Sequence, residues 1–519
     1  KEEQDKTEER PAKSLPQERK GKPRPSVVAV LGHIDHGKTT LLDAIRRGHT
    51  AKGEPGGITQ SIGAYHATYN GKTITFIDTP GHKAFTTMRA RGARATDIAV
   101  LVIAADDGIM AQTIEAIDHI KAAGVPIIVA INKIDKVNAN IDRVFTQLTE
   151  QDLTPEELGG DTIVVSLSAL TGKNVNDLLE MILLLAEMED LRADPDGPLH
   201  AIIIESHLDS RRGPVATAII KDGTLRERDF ISTGSTCGRV KALIDETGHR
   251  LDAATPGKAV MILGLQHVLT PGATVEICVD QNRAKRQAEK QRANDRKQRP
   301  SRAKMSVAEL FREAAAEKKL KLILKASSIG ALEASIREIE NISVRDVQLE
   351  IIHSGIGSIT ERDVLLASSS QDPCLVVGFG SKPDSKAVKS ANSHYVSIKS
   401  YDIIYDLLDE IEGRLTQMVS PEYKEVKIGE IIIRDLFHVS IGTIAGCYVT
   451  SGKVTRDAKI KVIRNEEELF SGEITSLRRI KEDVSVVQSG RECGIKLQGF
   501  DDLQVGDTLQ VFLIEEIVP

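Results

Sequence analysis

One stretch decides the fold of the first domain: Val27-Val28-Ala29-Val30-Leu31-Gly32-His33-Ile34-Asp35-His36-Gly37-Lys38-Thr39-Thr40. It joins an apolar run to a glycine-rich turn, and the turn opens a helix. The two glycines let backbone N–H groups turn towards a triphosphate, while Lys38 reaches its β- and γ-phosphates. The Thr39 hydroxyl can bind Mg²⁺. The stretch predicts a strand, a phosphate-binding loop (P-loop) and a helix, at the start of a doubly wound α/β domain.

Two further motifs each follow an apolar strand. Asp78-Thr79-Pro80-Gly81-His82 comes after Ile74–Ile77, which puts Asp78 at the carboxyl end of a strand, where open parallel sheets bind ligands. From there its carboxylate can hold a metal ion through water. Asn132-Lys133-Ile134-Asp135 comes after residues 126–131. The Asp135 carboxylate can accept hydrogen bonds from both N1–H and the exocyclic amine of guanine, and adenine offers no such pair of donors.

A third motif, Ser168-Ala169-Leu170, follows Ile163–Val165, in the place where a last loop would close over the base. The four elements in this order and spacing predict a guanine-nucleotide site. Its predicted nucleotide-binding residues are Gly32, His33, Ile34, Asp35, His36, Gly37, Lys38, Thr39, Thr40, Asp78, Thr79, Pro80, Gly81, His82, Asn132, Lys133, Ile134, Asp135, Ser168, Ala169 and Leu170.

The motifs around Lys38 and His82 resemble those of the translational GTPases. Gly56-Gly57-Ile58-Thr59-Gln60 with Ile62-Gly63-Ala64-Tyr65 resembles switch I of bacterial-type translation initiation factor two. Ser61 departs from the family, which usually has histidine there. By this resemblance Thr59 supplies a second hydroxyl to Mg²⁺ when the γ-phosphate is present, beside Thr39 and the water-mediated Asp78.

His82 is the predicted catalytic residue. Phosphoryl transfer asks mainly for positioning and charge neutralisation, so an imidazole that orients the attacking water is a sufficient contribution. In the family, an apolar gate holds the matching histidine away until the sarcin-ricin loop of the large ribosomal subunit draws it in. Ile34 and Ile58 match the gate positions, and ordinary packing on the sheet is the alternative. Asp35 either holds a monovalent cation, by family analogy, or caps the loop.

The whole chain has the composition of a modular, soluble protein. Its 519 residues exceed what one hydrophobic core supports and suggest three to four domains. Its net charge of −7 does not indicate nucleic-acid binding. The 5 cysteines are widely spaced, which disfavours disulfides and zinc and fits a reducing compartment. No apolar stretch approaches the roughly 20 residues that a membrane span requires.

Changes in the pattern of apolar, glycine and charged residues divide the chain into domains. The second domain consists of short β-rich runs broken by glycine, although Arg211 and Arg228 replace glycines common in the family. Apolar residues at helical spacing predict a long amphipathic helix over residues 401–418. The predicted order is a flexible linker (1–25), the P-loop GTPase domain (26–195), a β-barrel (196–281), a basic linker or helix (282–304), a small α/β domain (305–400), a connecting helix (401–424) and a C-terminal β-barrel (425–519).

Residues 282–304 are dense in arginine and lysine, so they form either a solvated helix or linker or a contact with ribosomal RNA phosphates. Segments 444–450, 473–479 and 492–495 resemble the family's C-terminal module, which recognises initiator tRNA charged with formylmethionine. By that resemblance a formylmethionyl pocket contains Gly446, Cys447, Arg479, Glu492, Cys493 and Gly494. On the residues alone, such cysteines are more often buried small hydrophobes.

The resemblance implies a GTPase of translation initiation. It would place formylmethionyl initiator tRNA on the small ribosomal subunit, promote subunit joining and hydrolyse GTP when the large subunit docks. GTP or GDP, Mg²⁺ and optionally a monovalent cation would be its cofactors. Its partners would be both ribosomal subunits, the initiator tRNA and other initiation factors, without a membrane. The expected location is the bacterial cytoplasm, with a chloroplast or mitochondrial matrix as alternatives.

Two other functions stay open at this point. One is an elongation-type translational GTPase that carries aminoacyl-tRNA. The other is a nucleotide-gated RNA-binding protein of ribosome assembly, which would need no formylmethionine pocket.

Overall fold

The computed structural model describes residues 21–46, 59–233, 236–278, 318–344, 347–418, 422–439, 442–464, 467–479, 482–500 and 502–517, with a few isolated positions between 282 and 289. The switch I residues before Thr59, including the predicted gate residue Ile58, and most of the basic segment 282–304 lie outside these ranges. The chain divides into two compact units, Lys1–Leu415 and Thr416–Pro519. Among the described residues, no helix is long and apolar enough to cross a membrane.

The first domain is built on a six-stranded sheet of order β3-β4-β2-β5-β6-β7, parallel except for β3. Its strands, with the short β1 and β8, are β1 (Lys22–Pro23), β2 (Ser26–Gly32), β3 (Gly63–Tyr69), β4 (Lys72–Asp78), β5 (Ile98–Ala104), β6 (Ile127–Asn132), β7 (Ile163–Ser166) and β8 (Arg192–Ala193). Its helices are α1 (Lys38–Arg46), α2 (Thr86–Ala95), α3 (Ala111–Ala123), α4 (Ile141–Glu150) and α5 (Val175–Met188).

The central strands of this sheet are buried on both faces. All residues of β2 and β5 are buried, as near-continuous apolar runs in a parallel sheet require. One core contains Val28, Val30 and Leu178 from α5, and a second, on the opposite face, contains Leu31 and Ile117 from α3. The doubly wound fold predicted from the sequence is confirmed, and it brings the carboxyl ends of β2, β4 and β6 to one edge.

The end of the predicted flexible linker is folded, which corrects that expectation for residues 21–25. Lys22 and Pro23 pair with Ala193 and Arg192. The Arg24 guanidinium donates two hydrogen bonds, of 2.6 and 2.8 Å, to the Asp97 carboxylate, which also accepts one from Lys221. The ion pairs of Arg24 and Lys221 with the buried Asp97 carboxylate hold residues 21–25 in place. The sequence of this segment has no large apolar side chains, so it gave no sign that the segment is folded.

The second domain is an antiparallel barrel. Its strands are β9 (His200–Asp209), β10 (Gly213–Asp222), β11 (Leu225–Arg226), β12 (Phe230–Ser232), β13 (Cys237–Arg239), β14 (Ala242–Ile244), β15 (Arg250–Leu251), β16 (Ala253–Ala254), β17 (Ala259–Leu263) and β18 (Thr274–Ile277). The pairing order is β13-β12-β18-β9-β10-β17-β14-β15. Because β13 and β14 are separated only by Val240 and Lys241, one continuous segment passes from the first strand of this path to the strand next to its last.

The two arginines that replace family glycines behave differently in this barrel. Arg228 has a φ of +74°, the left-handed conformation that glycine adopts more readily. Arg211 has a negative φ, and its N–H donates to the Asp209 carboxylate, as does that of Arg212. Only Arg228 therefore occupies a position where the backbone itself favours glycine.

In its described part, residues 318–344 and 347–401, the third domain alternates four parallel strands with three helices. They are β19 (Lys318–Ala326), α6 (Ile329–Asn341), β20 (Val347–Ile356), α7 (Glu361–Ser368), β21 (Cys374–Phe379), α8 (Ser385–His394) and β22 (Ile398–Tyr401). The sheet order is β20-β19-β21-β22. A core that includes Ile323, Val364, Val376 and Ala387 joins α7 and α8 to the sheet. The predicted small α/β domain is confirmed.

The connecting helix, α9 (Ile404–Met418), begins three residues later than the periodicity suggested. Tyr401 belongs to β22 instead, where it pairs with Phe379. The buried residues of α9 are Ile404, Leu407, Ile411 and Leu415, the amphipathic stripe that the sequence predicted.

The C-terminal unit is a closed antiparallel barrel. Its strands are β23 (Glu422–Val439), β24 (Gly442–Thr455), β25 (Lys459–Arg464), β26 (Glu467–Arg479), β27 (Glu482–Asp483), β28 (Val486–Gln488), β29 (Glu492–Leu497) and β30 (Thr508–Ile517). The path β23-β30-β25-β26-β29-β24 returns to β23 by direct pairing. The interior is filled by a cluster that includes Ile431, Val449, Ile460, Ile495 and Leu509.

Candidate functional site

The loop after β2 has the backbone conformation that its glycines permit. Gly32 and Gly37 have φ angles of +143° and +82°. A Cβ atom at Gly32 would lie 2.3 Å from the Val102 carbonyl oxygen, and one at Gly37 would lie 2.5 Å from Nδ2 of Asn132. Other side chains are therefore excluded at both positions. The loop closes onto α1 with Lys38 as its first residue.

A single amide, that of Asn132, joins three of the predicted motifs. Its Nδ2 donates to the His36 carbonyl at 2.9 Å, inside the phosphate-binding loop. Its Oδ1 accepts from the backbone N–H of Lys133 at 2.8 Å and of Ala169 at 2.9 Å. Asn132 is 2% exposed. The phosphate-binding loop and both base-proximal loops are thus fixed relative to one another.

The predicted metal ligands lie together. The hydroxyl oxygens of Thr39 and Thr59 are 2.9 Å apart, although they come from α1 and from switch I. Asp78 ends β4, and the Thr79 hydroxyl beside it donates to the Val30 carbonyl at 2.8 Å, which ties this loop to β2. Two neutral hydroxyls and a nearby carboxylate are oxygen donors of the kind that Mg²⁺ prefers.

Lys38 is buried and charged groups surround it. Its Nζ donates to the His33 carbonyl, and the side chain is 4% exposed. Burial lowers the pKa of Lys38 to about 8, although the charges of Asp78 and Asp35 oppose this shift. A Cβ atom at Gly81 would lie 2.4 Å from this Nζ. The space beside the ammonium is therefore kept open by glycine, and an anion placed there would hold Lys38 protonated.

The residues expected around the base are more open. Asp135 is exposed, and Leu170 is 80% exposed. Ser168 is buried, and its hydroxyl accepts from the Thr171 N–H at 3.2 Å. Lys133 has a φ of +64°, and its Nζ lies 3.5 Å from Asp107. The exposed Asp135 carboxylate, carried on loops that Asn132 holds in place, could accept hydrogen bonds from the edge of a purine base.

His82 is withdrawn into the protein. It is 4% exposed, and its Nδ1 accepts the Ala84 N–H at 3.1 Å, so a neutral ring carries its proton on Nε2. Burial lowers the pKa of His82 to about 4, and the charges of Lys83 and Arg89 lower it further. At neutral pH the imidazole is therefore uncharged.

Two residues around His82, and a third that bonds to the same helix, were not expected from the sequence. The fully buried Arg89 donates to the carbonyls of Pro80 and His82, at 3.1 and 2.5 Å. The Tyr405 ring of α9 meets the His82 ring edge to face, with centroids 4.6 Å apart. Gln60 bonds to the beginning of the same helix. The helix α2 contains three arginines, at positions 89, 91 and 94, so its sequence does not single out Arg89, and nothing local marks Tyr405 or Gln60.

The predicted gate residue Ile34 lies in a single helical turn, Ile34–His36, whose backbone faces Gly81. His36 is fully buried, and its Nδ1 lies 3.2 Å from the Val102 carbonyl oxygen. Burial lowers the pKa of His36 to about 4. His33 and His36 rings contact each other edge to face within this loop.

The C-terminal barrel carries a groove of about 830 Å³ that contains all the residues predicted for the formylmethionyl pocket. Gly446 and Gly494 are directly paired on β24 and β29, and no side chain rises from either. Around them stand charged and aromatic residues, namely Arg434, Asp435, Phe437, Arg478, Arg479, Arg491 and Glu492. Arginines outnumber acids in this groove, which suits a polyanionic ligand.

Cys447 and Cys493 are also paired with each other, and they are 2% and 5% exposed. Both belong to the buried core of the barrel as well as to the wall of the groove. Burial raises the pKa of the Cys447 thiol well above its usual range and that of Cys493 to about 11. Both thiols are therefore neutral and act as small apolar groups.

Models of four protein families match successive parts of the chain. The Elongation factor Tu GTP binding domain matches residues 24–188, Elongation factor G domain 2 matches 198–277, Translation-initiation factor 2 matches 296–412, and Elongation factor Tu domain 2 matches 442–510.

Curated relatives match over nearly the whole chain. Translation initiation factor IF-2 of Bacillus subtilis is 48% identical, over 95% of this chain and 69% of that protein, and IF-2 of Clostridium novyi is 47% identical, over 96% and 73%. The chain belongs to the translation initiation factor IF-2 family. Members of this family are GTP-binding translational GTPases, so the predicted family and class of enzyme are confirmed, and the elongation-type alternative is not.

The chain spans 60% of the length of IF-2 from Carboxydothermus hydrogenoformans, to which it is 48% identical over 95% of its own length. Among solved structures, GDP-bound aIF5B from Aeropyrum pernix is 24% identical, over 94% of this chain and 92% of that chain, with a TM-score of 0.47. The bacterial selenocysteine-specific elongation factor EF-Sec is 25% identical, over 49% of this chain and 45% of that chain, with a TM-score of 0.41.

Proposed function

We propose that this IF-2 family chain hydrolyses GTP during translation initiation, on the ribosome, and that its C-terminal barrel binds formylmethionyl initiator tRNA. The observation that carries the proposal is the convergence of three motifs on the Asn132 amide. A site whose loops are fixed before the ligand arrives loses little conformational entropy when it binds a nucleotide.

GTP would lie with its phosphates in the loop between Gly32 and Lys38, and with its base against Asp135. Mg²⁺ fits the hydroxyls of Thr39 and Thr59 and, through water, Asp78, where it would neutralise charge on the β- and γ-phosphates. The buried Lys38 ammonium would lie against the same phosphates. Because phosphoryl transfer depends on positioning and charge, these groups supply most of what the reaction requires.

His82 would orient the water that attacks the γ-phosphate, with GDP and phosphate as products. In the withdrawn position its Nδ1 accepts the Ala84 N–H, which leaves Nε2–H as a donor. For Nε2 to accept a proton from water, the proton on the ring must move to Nδ1. The Ala84 hydrogen bond therefore has to break before His82 can act as a base, and we propose that docking of the large subunit provides this change.

The groove on the C-terminal barrel would bind the aminoacylated end of the initiator tRNA. Its glycine floor admits a ligand close to the backbone, and its arginines match phosphates. A formylated amine is uncharged, whereas a free ammonium would lose its hydration in a groove whose four arginines outnumber its two acids, Asp435 and Glu492. The preference for the formylated form would therefore come from the cost of desolvating the charged amine of the unformylated form.

The partners in this proposal are both ribosomal subunits, the initiator tRNA and other initiation factors. A bacterial cytoplasm is the expected setting, because the relatives named above are bacterial. A ribosome-assembly role would keep the nucleotide site, but it gives no reason for a formyl preference.

GTP turnover with and without large ribosomal subunits tests the first half of the proposal. We expect turnover to rise when small subunits, initiator tRNA and large subunits are all present, and to remain low when large subunits are omitted. Equal turnover in the two reactions would contradict the proposed trigger.

Binding of formylated and unformylated initiator tRNA tests the second half. The C-terminal unit, residues 416–519, has a closed barrel and its own core, so it can be assayed alone. We expect it to prefer the formylated form, and Gly494→Val to remove the preference by filling the groove. A Cβ atom at Gly494 meets only ordinary contacts, with the closest at 3.5 Å, so the barrel should tolerate valine. A fragment without formyl preference would refute the pocket.

A further inference from the structure

The beginning of α9 lies against two parts of the nucleotide site at once. Tyr405, in its first turn, contacts the His82 ring edge to face, with an angle of 88° between the rings. Gln60, the residue after Thr59, spans the start of the helix. Its Nε2 donates to the Asp402 carbonyl at 2.6 Å, and its Oε1 accepts the Ile404 N–H at 3.1 Å.

These contacts are specific in their chemistry. The first N–H groups of a helix have no partner within the helix, so the Gln60 amide acts as a cap from another domain. Edge-to-face contact is a favoured arrangement of aromatic rings. The start of α9 therefore contacts two residues of the nucleotide site. One is Gln60, which follows the predicted Mg²⁺ ligand Thr59, and the other is His82, the predicted catalytic residue.

A third contact fixes the neighbourhood of His82 from another direction. Lys83, next in the chain, forms an ion pair with Glu338 of α6 at 3.8 Å. Lys83 is largely exposed, so this pair contributes little on its own. The Tyr405 ring, the Phe85 ring and the Ala84 N–H are the contacts that act directly on the imidazole.

We propose that Tyr405 is a positioning residue that retains His82 in its withdrawn position, and that Gln60 anchors the helix carrying Tyr405 to switch I. The inference rests on the catalytic role proposed for His82. His82 can leave its site only when the ring of Tyr405 gives way. Restraint by α9 would then keep hydrolysis slow before the trigger arrives.

The first test is the rate of GTP hydrolysis without ribosomes. An aromatic contact of this kind corresponds to a factor of about two to ten, so Tyr405→Ala should raise kcat by about that much and leave the KM for GTP unchanged. Tyr405→Phe keeps the ring and should behave like the wild type. Asp409→Ala changes an exposed residue of the same helix and serves as the matched control.

Gln60→Glu provides a second variant that spares the aromatic contact. A carboxylate cannot donate to the Asp402 carbonyl, so the helix start should loosen and kcat should rise in the same direction as in Tyr405→Ala. Unchanged kcat in both Tyr405→Ala and Gln60→Glu would overturn the proposal.

The second test is a histidine titration by NMR, which does not depend on catalysis. The groups facing His82 are Tyr405 from α9, Phe85, and the cations Lys83 and Arg89. Removing the Tyr405 ring exposes the imidazole, so the pKa of His82 should rise from about 4 towards its ordinary range in Tyr405→Ala but not in Tyr405→Phe. An unchanged titration would overturn the restraint.

A double substitution separates this inference from the proposed function. If Tyr405→Ala raises kcat, adding His82→Ala should abolish the gain. If the gain persists in the double variant, Tyr405 acts through another group and the inference fails. If His82→Ala lowers ribosome-stimulated turnover while Tyr405→Ala has no effect, the catalytic role survives and the restraint alone is refuted.

Discussion

The nucleotide site and the groove of the C-terminal barrel are built in opposite ways. The nucleotide site consists of buried loops that bind one another, with Asn132 bonded to two other motifs and Thr39 in contact with Thr59. The groove consists of exposed side chains above two glycines on neighbouring strands. Within the groove, Arg434 and Glu492 form an ion pair at 3.4 Å, and both side chains are more than half exposed.

This difference has a practical meaning. In the nucleotide site a substitution at one loop should disturb the others, because they share hydrogen bonds. In the groove the exposed side chains other than the Arg434–Glu492 pair should contribute nearly independently, because surface groups with separate partners usually have additive effects. Four substitutions test this contrast, beginning with the largest expected effect.

Acid should loosen the nucleotide domain through His36. Its pKa is about 4 when buried and near 6.5 when unfolded, so the neutral ring favours folding above pH 6.5, and this contribution falls as the pH drops towards 4. The loss at pH 4 should be about 3 kcal/mol. Hydrogen exchange of β2 and α1 amides across this range measures it. His36→Gln should remove this contribution and leave that of His82, whose pKa is also about 4, whereas His249→Gln, on an exposed side chain, should change neither.

His82→Ala should leave GTP binding intact, because the phosphate-binding loop, Lys38 and the metal ligands are unchanged. Ribosome-stimulated hydrolysis should fall by about a hundredfold or more, since orientation of the attacking water is lost. Single-turnover kinetics on ribosomes, with nucleotide affinity measured separately, gives both values. A variant as active as the wild type would remove His82 from the mechanism.

Asp135→Asn should weaken GTP relative to XTP by about tenfold or more, which is about 1.4 kcal/mol, because an amide suits the edge of xanthine. Competition binding with the two nucleotides measures the ratio. Asp118→Asn, on an exposed residue of α3, is the matched control. An unaltered preference for GTP would mean that another loop reads the base.

Arg479→Ala should have the smallest effect. The side chain is exposed, so binding of initiator tRNA should weaken by about twofold to fivefold. The salt dependence of binding should become shallower by about one unit of slope if a phosphate contact is lost. Arg456→Ala, on the same barrel but outside the groove, controls for net charge. A loss as severe as that expected for His82→Ala would mean that the groove is as interconnected as the nucleotide site.

The sequence predicted most of the first site because its parts are contiguous. A strand, its loop and the following helix occupy neighbouring positions, and parallel topology brings the ends of β2, β4 and β6 together. The glycines at 32 and 37 are required by contacts within that frame. Local chemistry was therefore enough to predict which loops would meet.

Contacts between distant residues could not be predicted in this way. Gln60 and Asp402 are 342 residues apart, and neither lies in a sequence motif that would predict a contact with the other. The folded segment at Lys22 and Pro23 also depends on a remote partner strand. In the C-terminal barrel, the sequence suggested two roles for the cysteines, and their burial supports both a core role and a place in the groove wall.

Asp97 shows where this protein can be shortened or joined to another. Burial alone would raise the pKa of this carboxyl, but hydrogen bonds from Arg24 and the charge of Lys221 hold it at about 2. A chain cut immediately before Ser26 would lose Arg24, and the carboxylate would keep only Lys221 and the Val27 N–H in a site with little water. A fluorescent label or a fusion partner therefore belongs before Gly21, where the ion pair and the β1–β8 pairing stay intact.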